Sequence, residues 1–353
     1  MSRFLMEAHR ELPAYVPGEH AEDGRLIRLN TNESPYPPPP AVQQAIAREA
    51  ANLGYYNDPD CAALRRALAG LYGVAPESVI CGNGSDELLY LAFMAFADAR
   101  HPIVMPDITY SYYDLFAAAL GIPIERIPLE ADFSVDPGRY AGLGKMIVLA
   151  NPNAPTGLAL SPGDIAPICA GNPDSVVLID EAYVDFGAES CLPLIAQHDN
   201  LLIVRTFSKS RSMAGARLGY AFAQAGLIEE LDTVRNAVNL YSVNRMTQAA
   251  GIAACAENGY FMDNCARIMA SRRFTTDGLR ALGFEVIESL GNFVFARCPD
   301  IPIPGAQLAA ALRERGILVR RWDAPRIEEY LRITIGSQAE MEALLRAVRD
   351  ILG

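Results

Sequence analysis

Short apolar runs alternate with helical segments through the first two thirds of the chain. Each run is rich in β-branched residues and is bounded by glycine, proline or polar residues, which is the pattern of buried parallel strands. The five runs are SVICG (78–82), PIVMP (102–106), KMIVLANP (145–152), SVVLIDEAY (175–183) and NLLIVRTFSK (200–209). Their alternation with helices predicts an α/β fold in which right-handed crossovers build a doubly wound, mostly parallel sheet.

Three segments differ in their pattern and predict the domain organisation. Residues 1–40 are rich in proline and turn formers, which predicts an arm that lies on another part of the protein. Residues 41–245 contain the five strand-like runs and form the predicted large domain. After a mostly helical stretch, FEVIES, NFVFARC, GILVRR and YLRITIG alternate like strands beside two helical segments. Residues 246–353 therefore predict a smaller C-terminal α/β domain that packs with the arm.

Composition narrows the classes of partner. The 353 residues are 51% hydrophobic and 20% charged, which is enough apolar sequence for a large core. A net charge of −12 argues against binding to nucleic acid or to an anionic membrane, because both attract clustered positive charge. Neither the four histidines nor the seven cysteines have metal-ligand spacing, so no metal site is expected. Scattered cysteines and an N-terminus without an apolar signal core favour a cytoplasmic protein with reduced thiols.

Unusual polar residues follow several of the strand-like runs. In open α/β sheets, ligands bind beyond the carboxyl ends of the strands, so these residues are candidates for a single site. The segments are GNGSDELL (82–89), NPNAPTG (151–157), Asp180 and Tyr183 in DEAY, and Thr206, Ser208 and Lys209 in TFSK. Taken singly, each segment has an ordinary structural interpretation as a turn, a helix N-cap or a surface charge.

Lys209 stands out because arginine supplies 28 of the 30 basic residues and Lys145 is the only other lysine. An amine can lose its proton and form a Schiff base, whereas a guanidinium stays charged. Two hydroxyls beside this lysine, a helix N-terminus and Arg217 would together hold a phosphate dianion, and Asp180 would face a cationic ring nitrogen. A phosphate, a protonated heterocycle and a Schiff-base lysine together predict pyridoxal 5′-phosphate as the cofactor.

The ordered motifs resemble those of the fold-type-I aminotransferases, and most closely those of the histidinol-phosphate aminotransferase family. The resemblance extends from about residue 10 to residue 350. It rests on NTNESP, YNDPD, GNGSDELL, ITYSYY, NPNAPTG, IDEAYVDF, TFSKSRSMAGARLGY and YLRITIG, which occur in this order. The resemblance implies a large domain with a mostly parallel sheet, a smaller C-terminal α/β domain and a homodimer with shared active sites.

The resemblance also implies a role for each residue of the cofactor site. Lys209 would bind the cofactor as a Schiff base and later move the substrate proton. Asp180 would keep the pyridinium nitrogen protonated, and Tyr183 would hydrogen-bond the ring oxygen. Tyr110 would stack on the ring face. The phosphate would be held by Gly84, Ser85, Asp86, Thr206, Ser208 and Arg217, and by Tyr56 of the partner subunit.

One loop departs from the family pattern. The family usually has an asparagine just before the proline of N-N-P-T-G, and this asparagine bonds the ring oxygen. In this chain the position is Ala154, so Asn153 is the expected substitute as a cofactor contact. The missing bond would be worth about 0.5–1.5 kcal/mol, which would shift the properties of the cofactor more than it would abolish activity.

On the substrate side, the resemblance implies a set of anion and side-chain contacts. Arg332 in LRITIG would be the main anion contact, because its planar guanidinium fits a carboxylate or a phosphate. Arg320 in ILVRR would be the second anion contact, with the neighbouring Arg321 as an open alternative. Tyr15 in the arm and Asn292 in GNFVFAR are the further predicted substrate contacts.

The predicted reaction is transamination of L-histidinol phosphate and 2-oxoglutarate to imidazole acetol phosphate and L-glutamate, a step of histidine biosynthesis. An aromatic amino-acid aminotransferase or a threonine-phosphate decarboxylase would use the same catalytic residues, so both alternatives stay open. A regulatory domain that only binds a phosphate ligand is disfavoured by the retained lysine, since arginine would serve binding alone. A nucleotide-binding dehydrogenase is disfavoured because no G-x-G-x-x-G turn follows the first strand.

Overall fold

The computed structural model describes residues 3–10, 12, 18–19, 26–298 and 303–353. The strands in these residues are β1 (Ile27–Leu29), β2 (Val79–Gly82), β3 (Ile103–Pro106), β4 (Ile124–Ile127), β5 (Met146–Ala150), β6 (Val177–Asp180), β7 (Leu201–Thr206), β8 (Gly219–Phe222), β9 (Glu285–Ile287), β10 (Phe293–Arg297), β11 (Ile317–Val319) and β12 (Leu331–Thr334). The α-helices are α1 (Pro40–Ala50), α2 (Ala62–Tyr72), α3 (Ser85–Phe96), α4 (Tyr112–Leu120), α5 (Pro162–Gly171), α6 (Ala225–Val238), α7 (Arg245–Ala256), α8 (Asn258–Ala281), α9 (Gly305–Glu314) and α10 (Gln338–Leu352).

A seven-stranded sheet forms the centre of the large domain, in the order β2–β8–β7–β6–β5–β3–β4. Strand β8 runs antiparallel to both of its neighbours, and the other neighbouring pairs are parallel. Every residue of β2, β3, β6, β7 and β8 is buried, because apolar layers cover both faces of the sheet. The predicted α/β fold with a mostly parallel sheet is confirmed.

The five apolar runs predicted as strands are β2, β3, β5, β6 and β7 of this sheet. Two further strands of the sheet have no such run. Strand β4 lies at an edge of the sheet, where the exposed Glu125 and Arg126 interrupt its apolar pattern. Strand β8 is a four-residue segment that begins with Gly219, directly after the loop that contains Lys209. Short edge strands and strands that begin with glycine give a weak sequence signal.

The carboxyl ends of several strands meet at one edge of the sheet. Ala150 at the end of β5 pairs with Asp180 at the end of β6. Gly219 at the start of β8 pairs with Thr206 at the end of β7 and with Gly82 at the end of β2. The polar segments that follow β2, β5, β6 and β7 are therefore brought together, as expected for a ligand site in an open α/β sheet.

The smaller domain contains a three-stranded antiparallel sheet in the order β12–β10–β9. Its apolar core includes residues from α8, α9, α10 and the three strands. Strand β1, which lies within residues 1–40, pairs in parallel with β11. A bridge between Arg320 and Arg332 joins the end of β11 to β12.

The packing of α7 and α8 bears on the position of the domain boundary. Helix α7 contributes Ala250 and Ala254 to the core of the large domain, although both residues follow the predicted boundary at residue 245. In α8, Phe261 belongs to the same large-domain core, whereas Ile268 and Leu279 belong to the core of the small domain. We therefore propose that the chain passes between the two domains within α8.

Helix α10 shows how local sequence fixes one element of the small domain. Ser337 caps its first turn, and Glu340 bonds back to the backbone of Ser337, which forms a capping box. Its buried residues recur at three- and four-residue spacing, so one face packs into the core. These residues are Met341, Leu344, Leu345, Ala347 and Val348.

Among the residues that the structure describes, no helix has the length and apolar character needed to cross a bilayer.

Candidate active site

A cavity opens at the edge of the sheet where the carboxyl ends of the strands meet. Its lining includes most of the predicted cofactor residues: Ser85, Asp86, Tyr110, Asp180, Tyr183, Thr206, Ser208, Lys209 and Arg217. The other lining residues are small: Ala150, Pro152, Ala154, Ala182 and Ala214. The structure thus brings together side chains that are distant in sequence, in one concave site that contains hydroxyl, acidic and basic groups.

One end of the cavity is formed by the start of α3. Gly84 precedes this helix with φ +80°, and no side chain caps its first turn, so the N–H groups of the turn remain available to an anion. A Cβ on Gly84 would lie 2.5 Å from Nη2 of Arg217, and a Cβ on Gly219 would lie 2.3 Å from the backbone N of Ser85. The two glycines therefore allow the helix start, β8 and the arginine to approach one another closely.

Charged and hydroxyl side chains surround this helix start. Nη2 of Arg217 donates to Oδ2 of Asp86 at 2.9 Å, and the Tyr110 hydroxyl donates to Oδ1 of the same carboxylate at 3.1 Å. The buried Thr206 hydroxyl donates to the Ser208 hydroxyl at 2.9 Å. An arginine, two hydroxyls and the backbone N–H groups of a helix start are the donor set that binds a phosphate monoester.

Asp180 also lines this cavity and is buried. Its Oδ2 accepts from the Tyr113 hydroxyl at 2.8 Å, and its Oδ1 accepts from the backbone N–H of Ala182 at 3.0 Å. Burial raises the pKa of Asp180 to about 6, although these two hydrogen bonds act in the opposite direction. The adjacent Glu181 pairs with Arg205 at 2.7 Å. A buried carboxylate of this kind is stabilised by a cation that binds next to it.

Lys209 and Tyr183 line the same cavity. Nζ of Lys209 donates to the backbone oxygen of Thr31 at 3.3 Å and lies 5.8 Å from the centre of the Tyr183 ring. The Tyr183 hydroxyl accepts from Nδ2 of Asn32 at 2.9 Å. The amine is therefore held by the arm on one side and by a cofactor-site tyrosine on the other.

A second cavity adjoins the first and shares Tyr110, Ala154, Tyr183 and Lys209 with it. The rest of its lining comes from the arm, the loop before α4 and the small domain: Gly18, Asn30, Thr31, Asn32, Thr109, Ser111, Arg320, Trp322 and Arg332. Both predicted anion contacts, Arg320 and Arg332, are present. Arg321 does not line this cavity, because its Nε donates to the backbone oxygen of Glu328 at 2.9 Å. Of the two candidates for the second anion contact, Arg320 is the one that lines this cavity.

Asn153 does not line either cavity, so the expected cofactor contact is not found in this geometry. Its amide forms hydrogen bonds with its own loop and with the segment between β3 and α4. Nδ2 donates to the backbone oxygen of Ile108 at 3.0 Å and to the Thr156 hydroxyl at 3.2 Å, and Oδ1 accepts from the Thr109 hydroxyl at 2.8 Å. Ala154 faces both cavities instead. The role of Asn153 as a cofactor contact stays a prediction.

Three other predicted residues differ in their placement from the main site. Asn292 is buried behind the second cavity, where its Nδ2 donates to the backbone oxygen of Asn32 at 3.0 Å, so it supports the lining and does not form it. Tyr56 is 79% exposed and does not line the cavities of its own chain, as expected if it serves a partner subunit. Tyr15 lies outside the described residues.

Asn32, Tyr113 and Trp322 belong to the site but are not among the residues predicted from the sequence. The first two do lie in the motifs NTNESP and ITYSYY, and Trp322 is the only tryptophan of the chain. Asn32 bonds Tyr183, Tyr113 bonds Asp180, and Trp322 lines the second cavity. The roles of the first two depend on contacts across more than sixty residues of sequence. Pattern alone does not reveal such contacts.

Comparison with known proteins agrees with this geometry. The family described as aminotransferase class I and II matches residues 25–348, and the chain belongs to this family. Within it, the chain belongs with the histidinol-phosphate aminotransferases. It is 47% identical over 352 residues to histidinol-phosphate aminotransferase 1 of Bradyrhizobium diazoefficiens, with 100% of both chains covered. It is 46% identical to the histidinol-phosphate aminotransferase of Acetobacter pasteurianus, which covers 100% of this chain and 99% of that protein.

A solved structure agrees in fold over the same length. The histidinol-phosphate aminotransferase of Sinorhizobium meliloti, in complex with pyridoxal 5′-phosphate, aligns with a TM-score of 0.87 and 27% identity. The alignment covers 99% of this chain and 99% of that one. The family predicted from the motifs is therefore confirmed, and this chain is an aminotransferase.

We predict that Asp180→Asn stabilises the cofactor-free protein at pH 8. The ordinary pKa of an aspartate is 3.8 and burial raises that of Asp180 to about 6, so the cost of the buried charge is full above pH 6 and absent below about pH 4. A shift of this size corresponds to roughly 1–3 kcal/mol, which the neutral amide avoids. Urea unfolding at pH 8 and pH 5 measures the difference in the free energy of unfolding between Asp180→Asn and the unsubstituted protein. This difference should be smaller at pH 5.

Asp323→Asn is the matched control, because Asp323 has the same carboxylate with its side chain 85% exposed. Asp323→Asn should change the free energy of unfolding by no more than about 0.5 kcal/mol at both pH values. An Asp180→Asn protein that is less stable than the unsubstituted protein at pH 8 would show that Asp180 bears no burial cost.

Proposed function

We propose that this aminotransferase uses pyridoxal 5′-phosphate to transfer the amino group of L-histidinol phosphate to 2-oxoglutarate. The observation that supports it most strongly is the position of Lys209, which lines both cavities. One cavity has a donor set for a phosphate and a buried carboxylate, and the other has two arginines. An amine placed between a cofactor site and an anion site is the arrangement that transamination requires.

The residues of the first cavity fit the cofactor at each of its polar groups. The phosphate fits the start of α3 with Thr206, Ser208 and Arg217, which the glycines allow to approach one another closely. The ring nitrogen fits the buried carboxylate of Asp180, and the ring oxygen fits the Tyr183 hydroxyl. When bound, pyridoxal phosphate supplies an aldehyde that exchanges amines and a protonated ring that accepts electrons.

Each residue of the site then has a chemical role. Lys209 is the amine for the cofactor's aldehyde, and its freed Nζ takes the proton from the substrate carbon that bears nitrogen. The negative charge of Asp180 holds a proton on the ring nitrogen, and Tyr113 holds Asp180 in place through its 2.8 Å hydrogen bond. Asn32 donates to the Tyr183 oxygen, which orients the tyrosine hydrogen toward the cavity.

The second cavity supports a substrate with an anionic group. Arg320 and Arg332 both line it, and Nη2 of Arg332 is fixed by the backbone oxygen of Asn30 at 2.9 Å. A phosphate monoester has more charge and more acceptor oxygens than a carboxylate, so two adjacent guanidiniums suit it well. The full-length relatives from Bradyrhizobium and Acetobacter are histidinol-phosphate aminotransferases, which supports L-histidinol phosphate as the substrate.

A homodimer with shared active sites forms part of the proposal. Large apolar side chains are exposed near the start of α3: Leu53, Tyr55, Tyr56, Val238, Leu240 and Tyr241. Tyr56 stacks on Tyr241 with ring centres 4.6 Å apart, and Asn83 in the turn before α3 donates to the backbone oxygen of Ser242 at 3.2 Å. This exposed surface therefore adjoins the phosphate end of the site, and a partner subunit that covers it would bring its own Tyr56 there. We also place the enzyme in the cytoplasm.

The proposed reaction is tested with the purified protein loaded with pyridoxal phosphate. Its visible absorption is followed without an acceptor while L-histidinol phosphate, L-phenylalanine or L-threonine phosphate is added. We expect histidinol phosphate to convert the cofactor at concentrations at least about tenfold lower than phenylalanine. A preference for phenylalanine would make it an aromatic aminotransferase, and CO₂ release from threonine phosphate would make it a decarboxylase. Either result would contradict the proposed substrate.

Lys209→Arg should abolish turnover while the fold remains intact. The guanidinium keeps the charge but cannot act as a base, so we expect a loss of about 10²- to 10⁴-fold or more in the rate constant kcat. Lys145→Arg is the matched control, since Lys145 is the other lysine and its side chain pairs with Glu125 near the surface. Steady-state rates compare the two variants. Turnover by Lys209→Arg at more than a tenth of the normal rate would refute the role of Lys209.

The shared site is tested with mixed dimers of Lys209→Arg and Tyr56→Ala subunits. Tyr56→Ala alone should lose about 10- to 100-fold in affinity for the cofactor, because a hydrogen bond to a charged group is missing. If Tyr56 serves the partner subunit, a mixed dimer has one intact site and one doubly substituted site. Co-expression with two different tags should then restore about half of the normal activity per dimer. A mixed dimer as inactive as its parents would place Tyr56 outside the partner's site.

A further inference from the structure

Arg320 and Arg332 are brought together by a backbone bridge in the second cavity. The backbone N–H of Arg320 donates to the oxygen of Arg332 at 3.0 Å, and that of Arg332 donates to the oxygen of Arg320 at 2.8 Å. Residues that face each other in an antiparallel pair have Cβ atoms about 4.5–5.5 Å apart on the same side. Their guanidiniums have the same charge and repel each other where they line the same cavity, so contacts with both groups help to hold them there.

The indole ring of Trp322 contacts both guanidiniums. Its ring centre lies 5.5 Å from Cζ of Arg320 and 5.2 Å from Cζ of Arg332. Both distances are within the range in which a cation is attracted to an aromatic ring, and tryptophan attracts cations most strongly among the aromatic residues. One ring therefore stabilises both cations, in addition to the hydrogen bond from Nη2 of Arg332 to the backbone oxygen of Asn30.

The ring itself is held by the protein. Trp322 is half-buried and packs against an apolar cluster that contains residues of both domains: Leu129, Phe133, Phe295, Ile327 and Tyr330. Arg332 has a second support, since its Cζ lies 5.6 Å from the Phe293 ring. The position of the indole is thus fixed from the side of this cluster, and the guanidiniums are fixed by the indole.

We infer that Trp322 is a positioning residue that makes the second cavity select a phosphate ester over a carboxylate. The inference rests on the proposed function and deepens it. One guanidinium suffices for a carboxylate, which it binds through two parallel hydrogen bonds. A phosphate monoester has a charge of about −1.5 to −2 and three acceptor oxygens, so it gains from both arginines only while they are held side by side.

The test compares Trp322→Leu and Trp322→Phe in the enzyme loaded with pyridoxal phosphate. For Trp322→Leu we expect KM for L-histidinol phosphate to rise about tenfold, with KM for L-phenylalanine rising less than about threefold. The constant kcat should change much less than KM for histidinol phosphate, since the ring does not touch Lys209's reacting atom. Trp322→Phe keeps an aromatic face, so its KM for histidinol phosphate should lie between those of the unsubstituted enzyme and Trp322→Leu. An equal rise in KM for both substrates would overturn the inference.

Ile327→Ala is the control for packing. Ile327 is buried in the same apolar cluster and does not line the second cavity, so its truncation loosens the cluster without removing the ring. The ratio of the two KM values should stay within about twofold of that of the unsubstituted enzyme. If Ile327→Ala changes this ratio as much as Trp322→Leu does, general loosening and not the indole explains the selectivity, and the inference fails.

Tryptophan fluorescence gives a readout that does not depend on turnover. Trp322 is the only tryptophan, so the emission of the loaded enzyme reports on this cavity alone. Addition of inorganic phosphate should change the emission to saturation, at concentrations at least about tenfold lower than acetate requires. No change, or equal effects of both anions, would overturn the role of Trp322. If histidinol phosphate fails as an amino donor, the proposed substrate fails, while this titration still decides the role of Trp322.

Discussion

The buried carboxylate of Asp180 is the constraint on which the rest of the site depends. It lies at the end of a fully buried strand, and in the described part of the chain no lysine or arginine pairs with it. Its neighbour Glu181 is neutralised by Arg205, so of these two adjacent carboxylates Asp180 is the one that faces the cavity. Such a charge has a cost in the folded protein, and the Tyr113 hydroxyl and the Ala182 N–H offset only part of it. Retaining it is reasonable where a bound cation stabilises it, as a protonated ring nitrogen would.

The two domains and the arm meet at the site through Asn32. Its backbone N–H and its Oδ1 both bond the Thr334 hydroxyl of the small domain, at 2.9 and 3.0 Å. Its Nδ2 reaches the Tyr183 hydroxyl of the large domain, and its backbone oxygen accepts from Asn292. One buried residue of the arm thus links a cofactor-site tyrosine to two segments of the small domain. The position of Tyr183 is therefore coupled to the domain that supplies Arg320 and Arg332.

Much of this arrangement could be predicted from the sequence, because the strand-like runs and the polar residues that follow them depend on local pattern. The five buried strands, and the cavity-lining residues Lys209, Asp180 and Arg217, are of this kind. The edge strand β4 and the short β8 could not be predicted, since exposed charges or glycine interrupt their apolar pattern. The contribution of α7 to the large-domain core depends on tertiary packing, which has no local signature.

In the site too, contacts between residues that are distant in sequence could not be predicted from local pattern. The loop motif makes Asn153 a reasonable expectation, but its amide bonds Ile108, Thr109 and Thr156, and the side chain lines neither cavity. Trp322 has no motif of its own, and its contacts with two arginines arise only when β12 pairs beside it.

The central claim is that Lys209 holds the cofactor. Borohydride reduction of the loaded protein followed by peptide mass spectrometry tests this claim most directly. The account predicts a pyridoxyl-phosphate group on Lys209 and none on Lys145. Label on Lys145, or no label on either lysine, would contradict it.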